Sequence, residues 1–76
     1  MSSTLTIPDE LVEKAATFGE HSYGATRVIL ILADGRRIHD VFLAWSSEIT
    51  KIGTRLITNP NELDFRIQEI ADIQRQ

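Results

Sequence analysis

The residues of this chain that could do acid–base or metal chemistry are few and poorly spaced for it. His39 and Asp40 are neighbours, and adjacent side chains on a strand point to opposite faces, so they cannot serve one site there. The second histidine, His21, lies in a glycine-bounded stretch, and cysteine is absent. Zinc would then need carboxylates at a spacing that nothing in the chain supports. Asp34 and Asp40 bracket a turn; the turn itself accounts for Asp34, and an exposed strand position accounts for Asp40. Hydroxyls at Ser22, Tyr23, Ser46 and Ser47 have no histidine placed by sequence to activate them. Gly19 and Gly24 make no phosphate-binding pattern, because no strand-to-helix step follows them. The reading is a protein that is not an enzyme and holds neither metal nor cofactor.

Trp45 offers chemistry of another kind. It ends an apolar run and precedes Ser46-Ser47, so it is either core or an amphipathic ring on a rim, where it makes a good partner anchor. Core is the first expectation. On the rim, Arg36, Arg37 and Lys51 would border it if the first two turns lie together. A basic rim round an aromatic suits an acidic peptide or a single-stranded nucleic acid.

The elements that must position these residues are legible. Over 8–18, Pro8 suits a first-turn position, and Asp9 and Glu10 complement the positive end of a helix dipole. Leu11, Val12, Ala15, Ala16 and Phe18 form one stripe at helical spacing, and Gly19 is a natural stop. Residues 19–26 read as a loop. Residues 27–33 read as a β-branched strand, and Asp34-Gly35 as a tight hairpin whose central residues tolerate positive φ. A second strand over 36–45 divides into Ile38, Asp40, Phe42, Ala44 and His39, Val41, Leu43, Trp45. Both strands are apolar on both faces, so a sheet that curls over itself or is covered by a helix is expected, with Leu30, Leu32, Val41, Phe42 and Ile49 in its core. Residues 48–52 form a shorter strand and 55–58 a fourth. Over 61–75 helical periodicity competes with a strand in which Phe65 and Ile67 alternate, a turn at Gln68-Glu69-Ile70 and a last strand over 71–74.

Three segments carry a resemblance: VILILADGRRIHDVFLAW over 28–45, EITKI over 48–52 and LDFRIQEIADI over 63–73. Together they resemble SH3-like small β-barrels, in particular short bacterial proteins built as strand, DGR, strand, EI-x-x-I and a closing I-x-D-I. The resemblance implies a strand for the C-terminal tail, after a one-turn helix, pairing back to the first strand. In shape such a protein is similar to Sm-like proteins. However, Asp40 stands where those carry a glycine in the second strand, and the Asp and Asn of their RNA pocket have no counterpart after Trp45. Separately, TIPDELVEKA over 6–15 resembles the start of ribbon-helix-helix antitoxins, which continue with a second helix.

The totals set bounds. Seventy-six residues, 42% hydrophobic and 25% charged, make one domain over 1–76 with material for a single core. Without cysteine, a basic leader, or an apolar run longer than the six residues 28–33, the reading is cytoplasmic, with no membrane span. The net charge of −3 divides into acidic ends and a mildly basic centre over 25–58, short of a nucleic-acid footprint.

The fold expected is α+β and mainly β: a helix over 8–18, then an SH3-like antiparallel barrel of about five strands over 27–75. The alternative is a three-stranded sheet with N- and C-terminal helices. The function expected is a small binding or assembly module with a protein partner, contacted through Trp45, Arg36, Arg37 and Lys51. The alternatives are an antitoxin-like DNA-binding regulator and a weak Sm-like RNA binder, with no tight nucleic-acid binding at this net charge. A homodimer or higher assembly is expected, formed through the helix stripe and the Trp45 region where the helix does not cap its own chain.

Overall fold

The computed structural model describes residues 5–19, 25–45 and 47–76. Its elements are α1 (Asp9–Ala16), β1 (Ala25–Leu32), β2 (Arg37–Ala44), β3 (Glu48–Ile52), β4 (Arg55–Leu56) and β5 (Ile70–Arg75). One-turn 3-10 helices at Pro60–Glu62 and Ile67–Glu69 lie between β4 and β5. The strands form one antiparallel sheet in the order β4-β3-β2-β1-β5. No pairing joins β4 to β5 among the described residues, so the sheet is not closed into a barrel. The C-terminal tail ends in a strand, and the three-stranded alternative with a C-terminal helix is overturned. A strand at 65–67 is not found either: Ile67 opens the second 3-10 turn.

One face of the sheet builds the core. Val28, Leu30 and Leu32 of β1, Val41 and Leu43 of β2, Ile49 of β3, and Ile70 and Ile73 of β5 are all buried. Leu11 and Ala15 of α1 join them, with Val12 and Phe18 packed against the cluster. Ala16, expected on the stripe, is exposed. The helix stripe is therefore used within the chain, and the condition that favoured a homodimer is not met. Leu5 and Ile7, unassigned from sequence, are also core. They flank Thr6, which bridges Glu48, while the Ile7 N–H donates to Ser47 O at 2.8 Å and the Ile49 N–H to Leu5 O at 3.0 Å. The extended start of the chain thus covers the outer edge of β3 where that strand begins.

Two local departures from strand alternation decide which residues face the core. The Asp34-Gly35 hairpin is a three-residue loop rather than a two-residue one. The Leu32 N–H donates to Arg36 O at 2.9 Å, and the Gly35 N–H to Leu32 O at 2.9 Å. Only Gly35, at φ +96°, adopts the left-handed region, as a type I turn with a following bulge requires. Asp34 instead accepts from the Arg36 N–H at 3.0 Å.

The second departure lies within β2. The β1–β2 register passes from Val28 opposite Val41 to Leu30 opposite Ile38, so β2 carries one extra residue there. Asp40 sits in this bulge at φ +59°. A bulge inserts one residue and flips the alternation beyond it. Ile38 consequently packs against the core with Val41 and Leu43 instead of sharing a face with Phe42. Phe42, expected in the core, is half-buried on the opposite face.

Candidate functional site

The face opposite the core is where both strands being apolar has its consequence. Ile29, Ile31, Phe42 and Ala44 are half-buried and do not belong to the core cluster or its packed margin. The helix and the 57–67 segment contribute their apolar side chains to the core instead. Among the described residues, the expected covering by a helix is found on the core face only.

Register places a row across this outer face. Arg27 of β1 is opposite Phe42 of β2, Phe42 is opposite Lys51 of β3, and Lys51 is opposite Leu56 of β4. Antiparallel partners present their side chains on the same face. The Lys51 ammonium lies 4.8 Å from the Phe42 ring centroid, and the Arg27 guanidinium carbon 6.0 Å. Both distances fall within cation–π range. Leu56 is 68% exposed at the end of the row.

The two cations differ in their surroundings. Arg27 forms an ion pair with Asp40. The Asp40 carboxylate also accepts from Gln76 Nε2 at 2.8 Å, while the Asp40 N–H donates to Gln76 Oε1 at 2.7 Å. The Arg27 hydrogen bonds, then that of Gln76, hold the Asp40 carboxyl below the usual carboxylate range. Gly53 closes the bulge by donating its N–H to Asp40 O at 2.8 Å. No ion pair among the described residues includes Lys51.

Trp45 follows β2 directly and is 78% exposed, so the expectation of a core tryptophan is overturned. Its φ of +54° puts a bulky L-residue in the left-handed region, a costly arrangement worth a physical account. It lies within the turn in which the Ser47 N–H donates to Ala44 O at 3.1 Å. The buried positions on either side, Leu43 and Ile49, anchor this turn without help from the indole.

The basic residues expected round Trp45 are not all brought to it. Arg37 opens β2, Arg36 precedes it and Trp45 follows its last residue, so the length of the eight-residue strand lies between them, roughly 23–27 Å of extended chain. Arg36 is engaged by Asp34, with Nε 3.1 Å from Oδ2, and Arg37 reaches the Gln74 amide oxygen at 3.4 Å. Lys51 lies in the row with Phe42 rather than at the Trp45 turn. Arg27 and Leu56 were missed from sequence. Only the cross-strand register, which a single strand's pattern does not contain, places them in the row.

His39 is exposed at the bulge, and Asp34 belongs to its turn. The Ser47 hydroxyl donates to Ala44 O at 3.4 Å, and His21, Ser22, Tyr23 and Ser46 lie outside the described residues. Among the described residues no group of three His, Cys, Asp or Glu side chains converges. No described helix is long and apolar enough to cross a membrane. A cavity of about 220 Å³ opens beside β4, with Ile38, Ile52 and Leu63 in its walls and Arg55, Glu62 and Asp64 among its polar lining residues. The nearest things to a site are therefore the outer sheet face and the exposed tryptophan that follows β2, and comparison of the chain with known protein families, curated proteins and solved structures found no match.

Proposed function

We propose that this protein is a small non-enzymatic module that binds another protein through the Trp45 end of its outer sheet face. The carrying observation is Trp45 itself, 78% exposed at φ +54°. An indole held there adds little to the fold and occupies a backbone region that disfavours it. Exposed tryptophan is, however, the side chain most enriched among residues that dominate binding energy. The strand order, with a one-turn helix before the last strand, supports an SH3-like barrel left open between β4 and β5. Cytoplasmic residence remains part of this proposal, on the composition alone.

The DNA-binding alternative draws less support. A ribbon-helix-helix protein needs a second helix, and no α-helix follows α1 among the described residues. The net charge of −3 disfavours RNA as well. The test is capture from cell extract on immobilised protein, with and without nuclease. Retention of a protein partner that survives nuclease and is lost in Trp45→Ala is the expected result. Retention abolished by nuclease, or unchanged in Trp45→Ala, refutes the proposal.

A further inference from the structure

We infer that the partner segment is an extended acidic–apolar peptide that crosses the Arg27–Phe42–Lys51–Leu56 row, with a carboxylate on Lys51 and apolar side chains on Phe42 and Leu56. The inference rests on the protein-binding reading above and adds the chemistry of the ligand. Four adjacent strands at ~4.8 Å spacing make the row about 14 Å long, the reach of about four extended residues. Its composition alternates cation, aromatic, cation, aliphatic.

Charge decides what fits. Lys14, Arg27 and Arg36 are each paired with a carboxylate of their own chain, Asp72, Asp40 and Asp34 respectively. Lys51 is the cation of the row that no ion pair among the described residues engages, and its ammonium is held over the Phe42 ring. One cation outside every ion pair among the described residues, beside the exposed Leu56, matches one carboxylate flanked by apolar side chains. A nucleic-acid strand draws its affinity from many neutralised phosphates at once, and of the two cations in this row Arg27 is already paired with Asp40. The same feature sets the specificity, because a lysine in the peptide opposite Lys51 would meet like charge.

Fluorescence anisotropy with labelled ten-residue peptides tests this, one alternating glutamate with leucine, one alternating lysine with leucine, and oligo(dT) as a third probe. Wild type is expected to bind the glutamate peptide in preference to the other two. Lys51→Glu should weaken the glutamate peptide by about tenfold and invert the preference toward the lysine peptide. Phe42→Leu should weaken the glutamate peptide while leaving its preference over the lysine peptide intact. An unchanged melting temperature shows that Lys51→Glu is folded. Tighter binding of oligo(dT), no binding of the glutamate peptide, or indifference to Lys51→Glu overturns the inference. If Trp45-dependent capture from extract persists in those cases, the protein-binding reading stands and only the ligand chemistry falls. If capture fails as well, both fall.

Discussion

Replacing Trp45 by glycine and by alanine separates what the indole does for the fold from what it does on the surface. At 78% exposure, about a fifth of a side chain of roughly 250 Å² stays covered, so its removal forfeits about 1 kcal/mol of burial at ~25 cal/mol per Å². The backbone works in the other direction. At φ +54° any residue with a Cβ carries a left-handed penalty of about 1–2 kcal/mol that glycine escapes. Part of that relief is offset by about 0.4–1 kcal/mol from glycine's freer unfolded chain. Trp45→Ala should therefore lose about 1 kcal/mol, and Trp45→Gly should equal or exceed the alanine variant by up to ~1.6 kcal/mol, against the usual order in regular structure. In a domain this size that difference amounts to a few degrees of melting temperature, about 4–8 °C per kcal/mol. Trp45 is the sole tryptophan, so urea unfolding is followed by circular dichroism. An alanine variant more stable than the glycine one refutes the backbone argument. A loss above about 3 kcal/mol in both shows the indole to be core.

The two faces of the sheet should respond differently to truncation: Leu30→Ala, at a fully buried position, should lose about 2–5 kcal/mol, and the half-buried Phe42 distinctly less on mutation to alanine. Equal losses in denaturant titration would contradict the assignment of Phe42 to the outer face. Stability should fall on acidification. Asp72, lowered chiefly by its hydrogen bond from Lys14, and Asp40, lowered chiefly by Arg27, bind protons less readily folded than unfolded. Their contribution is present above the unfolded value of about 4 and lost as pH drops through the depressed folded values. Thermal melts from pH 7 to pH 2 should show this, with a shallower decline for Asp72→Asn; a melting temperature that rises toward low pH contradicts it. Because the α1 stripe is packed within its own chain, sedimentation at tens of micromolar should give a single 8.6 kDa species, and a dimer would mean that the outer sheet face pairs with itself.

Local rules made α1, β1 and β3 legible. Pro8 and the acidic first turn open the helix, which ends at Ala16 with Thr17 as its cap, short of the expected stop at Gly19, and residues 48–52 form β3 with the bounds their pattern suggests. Leu5 and Ile7 were not legible, because two apolar residues round a threonine carry no periodicity. Only the docking of that segment on β3 buries them. Pattern alone suggested a covered sheet, whereas the fold leaves one apolar face without a covering element among the described residues. The bulge at Asp40 could not be read from β2 by itself, since a bulge is a mismatch between two strands. It moved Ile38 toward the core and left Phe42 outside. The sequence by itself determined which stretches extend, which coil and which residues bring charge. Facing and neighbourhood were decided by tertiary structure, because alternation says only that residues differ in side, and register says which side meets the core and which cations meet Phe42.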